Sequence, residues 1–303
     1  MKYKKIAITG AFGYSGKYIS EKLLGENYQV KTLTNSPHKH HPYKDKIEIA
    51  PLSFDNKDLL VKNLSGYDVL INTYWVRFNH KKFNHQDAVK NTKILFDASK
   101  EAKIKKIIHV SITNPDINSE LEYFKGKAIL EEYLKSLDIN YAIIRPAVLF
   151  GKEDILINNM AWFVRNLPVI GVFGDGNYKL QPIHVEDFAK LIIDRINVDK
   201  NVILNAIGKE TYTYKQLLLA IMSGIDVHKK IINVNPLVGY WAGKIIGFLK
   251  NDVFITKEEI KGLMQNKLYV NDKPIGEISL QEWIKHNKHT LGKKYASELL
   301  RRK

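Results

Sequence analysis

The sequence predicts an α/β fold in which a doubly wound parallel sheet is followed by a smaller, mainly helical C-terminal region. Through the first 150 residues, short apolar runs alternate with helical patterns, which is typical of a parallel sheet with crossover helices. Gly10, Gly13 and Gly16 separate the first apolar run from the first helical pattern. Beyond residue 208 the helical pattern dominates.

The apolar runs predict strands, and the helical patterns predict the helices between them. Predicted strands cover residues 4–10, 28–34, 46–54, 67–75, 104–113, 139–151 and 202–208, and predicted helices cover 15–27, 86–103 and 121–134. The first domain therefore comprises residues 1–150 with a returning segment at about 180–208. We interpret residues 151–179 and 209–303 as a substrate-binding or lid region.

Composition limits the class of protein. The chain has 303 residues, 45% of them hydrophobic, which is enough for a sizeable core. It has no cysteine, which excludes disulfides and a thiolate nucleophile, and a cytoplasmic setting is expected. We expect no signal peptide and no spanning helix. The apolar stretch 237–249, interrupted by Lys244, is interpreted as a lid or buried helix, with an interfacial helix at a membrane surface as the less favoured alternative.

The net charge of +15 and the pI near 9.5 suit an anionic partner. The lysines are spread along the whole chain, and only six of the 47 basic residues are arginines, on which nucleic-acid specificity often depends. We therefore expect no nucleic-acid partner and assign the charge to background and to binding of a phosphate-bearing cofactor. A small-molecule substrate is expected, and an oligomer is left open.

The glycines form a GxxGxxG loop, "TGAFGYSG", between the first strand and the first helix. Such a loop allows a tight turn, a close approach of backbone N–H groups to a pyrophosphate, and close packing of helix on strand. The loop therefore predicts a dinucleotide site, which includes Phe12 and Tyr14. A tight turn without a ligand is the alternative.

The tip of the second strand, "LTNSPHKHH", distinguishes the two nicotinamide dinucleotides. No acidic residue appears before Asp45, whereas an acid at this tip would bind the ribose hydroxyls of NAD. Asn35, Ser36 and Lys39 could contact a phosphate, so NADP is favoured and NAD is the alternative. Asp55 either contacts adenine or caps the following helix. The histidine-rich tip is interpreted as a solvated loop, and no metal is expected.

Tyr123 and Lys127 have the spacing of a proton-transfer pair, since residues four apart lie on one face of a helix. A nearby ammonium lowers the pKa of a phenol. The same spacing occurs at three other places in the chain, so the spacing alone decides nothing.

Five segments in this order, "TGAFGYSG", "HVSITN", "YFKGKA", "IIRPAVLFG" and "GDGNYKLQPIHVEDFA", resemble the extended and atypical short-chain dehydrogenase/reductases. The nearest branch includes the NADPH-binding accessory subunit of respiratory complex I. The resemblance covers residues 4–208 and implies a Rossmann sheet. Of the four Tyr–Lys matches, only Tyr123 and Lys127 lie on the helix after the fifth strand, where the family has its active pair.

By this resemblance Tyr123 would be the general acid/base, and Lys127 would hold the nicotinamide ribose and lower the tyrosine pKa. The third member falls on Thr113 or Ser111, of which we favour Thr113. The family lines its substrate cleft at positions that correspond here to Arg145 and His184. Trp75, with Tyr74, could shape a specific pocket, and Asn158 and Asn159 are further candidates to contact the substrate. A core histidine, a sheet-edge arginine and a helix cap are the structural alternatives for His184, Arg145 and the pair Asn158 and Asn159.

Two functions follow. The first is an NADP-dependent oxidoreductase, epimerase or dehydratase acting on a small carbonyl or sugar-like substrate, and the intact pair favours an enzyme. The second is a non-catalytic NADP(H) sensor or an accessory subunit of a larger complex. It is favoured by Tyr74 and Trp75, which stand where the family has small residues beneath the nicotinamide. Trp162, Phe163, Trp241 and Phe248 are expected in the core or a lid.

We predict tighter binding of NADPH than of NADH, because no acid stands at the second strand tip. Gly13→Trp should abolish binding by filling the loop. A fluorescence titration of both nucleotides on the wild type and this variant measures the effect. Absence of binding in the wild type would contradict both functions.

Overall fold

The computed structural model describes residues 2–38 and 41–301. The strands are β1 Lys5–Thr9, β2 Gln29–Thr34, β3 Glu48–Pro51, β4 Val69–Asn72, β5 Lys106–Val110, β6 Asn140–Pro146, β7 Val148–Phe150, β8 Val169–Phe173, β9 Lys179–Leu180, β10 Pro182–His184, β11 Val202–Ala206, β12 Tyr212–Thr213 and β13 Lys230–Val234. The helices are α1 Tyr14–Gly25, α2 Lys57–Leu64, α3 His85–Glu101, α4 Glu122–Ser136, α5 Leu156–Asn166, α6 Val185–Asp194, α7 Tyr214–Gly224, α8 Pro236–Lys250, α9 Lys257–Met264, α10 Leu280–His286 and α11 Glu298–Arg301. A 3₁₀ turn covers Lys44–Lys46.

The chain forms two compact units. The first comprises Met1–Pro146 and Phe188–Ala206, and the second comprises Ala147–Asp187 and Ile207–Lys303. The boundaries predicted from the sequence, at 150, about 180 and 208, compare with 146, 187 and 206 here.

A seven-stranded parallel sheet forms the first unit, in the order β11-β6-β5-β4-β1-β2-β3. The predicted α/β class with a doubly wound Rossmann sheet is therefore confirmed. The strand order reverses between β1 and β4, and ligands of such sheets bind where the order reverses, outside the carboxyl ends of the strands. A ligand site is therefore expected at the loops after β1 and β4.

The first unit has an apolar core between the sheet and helices α2, α3 and α4. Leu60 of α2, Phe96 of α3 and Leu130 of α4 are fully buried there against Leu70 and Ile107 of the sheet. Burial of a side chain of this kind stabilises a fold by about 1.5–3 kcal/mol. The short strands are apolar on both faces because the sheet is covered on both sides.

The second unit has its own core, built on α5, α7 and several short strands. The predicted strand 139–151 is in fact two strands, because β7 leaves the main sheet after Ala147 and pairs with β10. The parallel pair of β8 with β13 was absent from the sequence prediction. Phe163 lies in this core, as expected. None of the described helices is both long and apolar enough to cross a membrane.

The helix after β3 corrects one prediction. Asn56, and not Asp55, caps α2, since the Asn56 side chain accepts a hydrogen bond from the Leu59 N–H at 2.9 Å. Asp55 is exposed.

We expect Asn56→Ala to lower the free energy of unfolding by about 1 kcal/mol, the usual contribution of an N-cap side chain. Asp55→Ala is the matched control and should leave it unchanged. Urea unfolding followed by circular dichroism measures both. An equal loss in the control would contradict the assignment of the cap.

Candidate functional site

The glycine loop joins β1 to α1 in a tightly folded turn. Gly10 has a φ of +67°, a left-handed conformation that favours glycine, and its carbonyl accepts the Gly13 N–H at 2.8 Å. A Cβ on Gly16 would lie 2.1 Å from the same carbonyl oxygen. Glycine is therefore required at 10 and 16 to let the helix start against the strand.

Gly13 is the N-cap of α1, and this helix start is suited to an anion. Within the described residues no side chain caps α1, and its first turn contains no acidic residue. The backbone N–H groups of the first turn and the positive end of the helix dipole suit a phosphate at this position. Phe12 and Tyr14, both half-buried, flank Gly13.

The loops after β1 and β4 are held together by Thr9. Its hydroxyl oxygen accepts the N–H groups of Thr73 at 2.8 Å and Tyr74 at 3.0 Å, and Thr73 Oγ1 donates to the Thr9 carbonyl at 2.6 Å. The structure thus brings the glycine loop next to the segment that leads to Trp75.

The residues predicted for a 2′-phosphate follow β2. Asn35 is exposed and Ser36 is half-buried, with the Ser36 N–H bonded to Thr34 Oγ1 at 3.0 Å. Lys39 lies outside the described residues. His41 packs against the glycine-loop residue Phe12, with ring centroids 5.7 Å apart, and was not among the predicted residues.

Lys127 belongs to the first turns of α4, and the Trp75 ring lies over its side chain. Its side chain is only 2% exposed, its ammonium donates to the Val110 carbonyl at 2.7 Å, and the Trp75 ring centroid is 4.3 Å from Nζ. A Cβ on Gly126 would lie 2.9 Å from Trp75 Cη2. The indole therefore lies directly on this stretch of α4.

The same indole contacts the tyrosine of the pair. The Trp75 and Tyr123 rings meet edge to face at 5.6 Å, and His85 stacks on Trp75 at 5.8 Å and meets Tyr123 at 5.6 Å. His85 Nδ1 lies 3.6 Å from a Glu122 carboxylate oxygen. Tyr123 is thus one ring of an aromatic cluster that covers the buried lysine. Within the described residues, no group accepts a hydrogen bond from the Trp75 indole N–H.

Burial changes the charge of the groups below this cluster. Desolvation lowers the pKa of Lys127 from 10.5 to about 7, and the Glu131 carboxylate opposes that shift. Desolvation, and then the charge of Lys127, lower the pKa of His109 well below 6.5. His109 is therefore neutral at neutral pH, whereas Lys127 titrates there.

Two buried polar networks flank Lys127. In the first, Asn72 Oδ1 accepts from Thr9 Oγ1 and from the Tyr74 N–H, both at 3.1 Å, so the Asn72 amide nitrogen faces His109 Nδ1 at 3.1 Å. This orientation places the His109 proton on Nε2. The first network thus runs from the glycine loop to the neighbourhood of the lysine.

In the second network, Glu131 accepts from the Ser111 hydroxyl at 2.5 Å and from Arg145 Nε at 2.9 Å, and a second bond from the Arg145 guanidinium completes a bidentate ion pair. Arg145 is thus a partner of a buried carboxylate, and Ser111 is committed to the same carboxylate. Thr113 is fully buried, and its N–H donates to the Pro146 carbonyl.

The candidates in the second unit have structural contacts. The Asn159 amide donates to the Ala296 carbonyl at 2.9 Å and accepts the Ala296 N–H at 2.8 Å, so both of its ends are occupied by backbone. The expectation that Asn159 contacts substrate gains no support from this arrangement. Buried His184 packs against Phe150 at 5.0 Å and accepts the Glu186 N–H, which is typical of a core histidine.

Several residues of the site were missed at the sequence level. Asn72, His85, His109 and Glu131 carry its polar contacts. Glu131 stands four residues after Lys127, and Asn72 ends a strand at the point where the strand order reverses. Those positions were the available signals. A single histidine within an apolar strand, such as His109, gives none.

A family of NAD(P)H-binding proteins matches residues 10–160 of the chain. This segment is an NAD(P)H-binding domain. It contains the glycine loop, Trp75, Tyr123 and Lys127, and the resemblance to the atypical short-chain dehydrogenase/reductases is confirmed.

One sequence relative is the mouse mitochondrial NADH dehydrogenase (ubiquinone) 1 alpha subcomplex subunit 9. It is 28% identical over 289 residues, which cover 88% of this chain and 73% of that protein. The chain is thus distantly related to this complex I subunit.

Solved structures share the fold. A nucleoside-diphosphate-sugar epimerase from Staphylococcus aureus has a TM-score of 0.74 at 16% identity and covers 93% of this chain and 99% of its own. An NADPH-dependent quinone oxidoreductase of Escherichia coli, in complex with NADPH, has a TM-score of 0.72 at 19% identity, with the same two coverages. At such identities the likeness concerns the fold alone.

The buried lysine of the NAD(P)H-binding domain generates a prediction for stability. The lowered pKa means that the unfolded chain binds more protons than the folded one between about pH 7 and 10.5, so Lys127 makes the free energy of unfolding rise with pH across that window. Lys127→Met should remove this contribution. Urea unfolding at several pH values measures the difference between wild type and variant. Burial also lowers the pKa of Lys106, to about 8, but this contribution is present in both proteins and cancels in the difference. Parallel pH profiles would contradict the lowered pKa.

Proposed function

We propose that the chain binds NADPH and holds it without proton transfer by the Tyr–Lys pair, as an NADP(H) sensor or an accessory subunit of a larger complex. The observation that carries the proposal is the position of Lys127. Its ammonium is buried beneath Trp75 and bonded to the Val110 carbonyl, so it is covered where the resemblance expects it to hold a ribose.

The phosphate end of the site fits a dinucleotide. The N-terminus of α1 is uncapped by side chains of the described residues, its first turn lacks acids, and Gly13 leaves the backbone accessible. These features bind and orient a pyrophosphate through backbone N–H groups. They support nucleotide binding whether or not the Tyr123–Lys127 pair takes part in catalysis.

The preference for NADPH follows from the tip of β2. Exposed Asn35 and half-buried Ser36 stand there, and the tip offers no carboxylate to ribose hydroxyls before Asp45. A 2′-phosphate would meet neutral or basic groups. The net charge of +15 adds a favourable field for a ligand that carries this extra phosphate.

The Tyr–Lys end does not fit turnover in this arrangement. A bound nicotinamide supplies hydride transfer, and the residues around it must then move a proton. Lys127 has a pKa of about 7, so its ammonium carries only part of its charge at neutral pH, and its hydrogen bond goes to backbone. Tyr123 packs its ring against Trp75 and His85.

An accessory role draws on the relatives. The mouse relative is named a subunit of NADH dehydrogenase (ubiquinone), and it aligns with most of this chain. A partner of an accessory subunit would distinguish the NADPH-bound protein from the nucleotide-free protein. Such a subunit needs the glycine loop to bind NADPH, but it needs no accessible general acid. The covered lysine agrees with this requirement.

An NADP-dependent oxidoreductase is the second candidate, and the unsatisfied indole N–H of Trp75 favours it. A buried donor without an acceptor costs about 1–3 kcal/mol. The indole N–H of Trp75 bears this cost in the position where the ring covers Lys127. A displaced Trp75 would uncover Lys127 beside Tyr123. This candidate therefore requires movement of one side chain.

The binding proposal is tested with Gly13→Asp and its isosteric control Gly13→Asn. Both side chains are favourable N-caps, and the φ of −79° at Gly13 suits any residue. A Cβ there would lie 3.2 Å from the Gly10 carbonyl oxygen in both variants alike, so the effect of this close contact cancels when the two are compared. Only Asp places a negative charge at the phosphate position. We expect NADPH affinity to fall at least about tenfold in Gly13→Asp relative to Gly13→Asn, measured by nucleotide fluorescence titration. Equal affinities would contradict binding at this loop.

Turnover separates the two candidates. The wild type should bind NADPH and oxidise it no faster than Tyr123→Phe with quinone or carbonyl acceptors. If oxidation by the wild type is lost in Tyr123→Phe, the oxidoreductase is correct and the sensor is wrong. If oxidation appears only in Trp75→Ala and disappears in Trp75→Ala/Tyr123→Phe, the indole is the block.

A further inference from the structure

Helix α8 carries its large apolar side chains on the outside of the second unit. Trp241 is 60% exposed and Phe248 is 86% exposed, which excludes the core position expected for them and leaves the lid alternative. The other members of this exposed face, called here the α8 apolar face, are Leu237, Val238, Ile245 and Leu249. At 100° per residue, the six positions fall within about 120° of the helix circumference.

The opposite side of α8 is made of glycine. A Cβ on Gly239 would lie 2.5 Å from Phe173, one on Gly243 would lie 2.8 Å from Phe254, and one on Gly247 would lie 2.7 Å from the Asp252 carbonyl oxygen. The helix packs on its own unit through these glycines and through Tyr240 and Ile246, which are partly buried against the core of that unit. Six of its large apolar residues nevertheless face outward, whereas an ordinary surface helix turns such residues inward.

Two lysines lie at one edge of the α8 apolar face. The ammonium of Lys244 lies 5.6 Å from the Trp241 ring centroid and 5.8 Å from that of Tyr240, and Lys257 lies 5.2 Å from the Tyr240 ring. Helix α8 contains no acidic residue. The face thus combines exposed apolar side chains with a positively charged edge.

The dimensions of the helix agree with a position on a membrane and not across it. Its 15 residues span about 22 Å, and a spanning helix needs about 20 residues. Tryptophan beside lysine is typical of the boundary between lipid head groups and acyl chains. The α8 apolar face offers few polar groups of the kind that a protein partner usually bonds.

We propose that α8 binds the surface of an anionic lipid bilayer, with its apolar face inserted at the head-group boundary and its lysines facing anionic head groups. The charge of the chain supports this occupant, since 47 basic residues face 32 acidic ones. The inference does not depend on nucleotide binding and is tested without nucleotide.

Vesicle co-sedimentation of the full chain tests the proposal, with vesicles of phosphatidylcholine alone and of phosphatidylcholine mixed with phosphatidylglycerol. The wild type should bind the mixed vesicles and bind the neutral ones weakly. The double variant Trp241→Ser/Phe248→Ser should lose about a hundredfold in affinity. Leu219→Ser is the matched control, because Leu219 is 50% exposed on α7, outside the α8 apolar face, and should bind as the wild type does.

Two further variants locate the contact. Lys244→Glu should weaken binding to the mixed vesicles by more than about fivefold, whereas Lys62→Glu, an equal charge change on α2, should have a smaller effect. Lipids brominated on their acyl chains should quench tryptophan fluorescence in the wild type. Trp241→Phe keeps the apolar face and should remove most of this quenching.

The contrary outcomes are distinct. Equal binding by the double variant and the wild type would overturn the assignment to α8. Absence of binding to mixed vesicles would overturn the lipid occupant. If the wild type then elutes as a dimer in size-exclusion chromatography and the double variant as a monomer, the occupant is a second copy of the chain.

Discussion

The Thr9 hydroxyl is the interaction on which the arrangement of the site depends. It accepts two N–H groups from the loop after β4 and donates to Asn72, at the point where the strand order of the sheet reverses. Loops after β1 and β4 diverge in such sheets, and a cleft opens between them. Here one side chain fixes their separation, so the glycine loop and the segment before Trp75 form a single rigid edge. Asn72 continues this connection to His109.

The buried ammonium of Lys127 is the second constraint. Removing a charge from water costs several kcal/mol, and here the carbonyl of Val110, the face of Trp75 and the nearby Glu131 carboxylate offset that cost only in part. Glu131 is itself held by Arg145 and Ser111. The region around the lysine is therefore a compact electrostatic unit whose members depend on one another. The contacts that stabilise the buried ammonium also keep a ligand from reaching it.

The sequence was sufficient for the class of the sheet because its signals are local: apolar runs that alternate with helical patterns, and glycines at a strand-to-helix junction. The Tyr123–Lys127 pair was located by its place after β5. The sequence could not indicate that Trp75 lies on Lys127, since that contact joins two elements far apart in the chain. The β8–β13 pair was missed for the same reason, because each strand reads as a short apolar run whose partner lies about 60 residues away. The sequence showed that α8 is apolar, but it did not show which side of the helix contacts the second unit. That side is set by the packing of its glycines, which only the structure shows.

Gly126 has a consequence for how this site can change over generations. A methyl group there would overlap the edge of the Trp75 indole and also lie 3.0 Å from Val89. A lineage that keeps tryptophan at 75 must therefore keep glycine at 126, whereas a lineage that first replaces the tryptophan is left only with the contact to Val89. The two positions form an ordered pair of evolutionary steps. A descendant that opens the lysine to a ligand can do so by losing one ring, but a return to the covered state requires that glycine at 126 has survived.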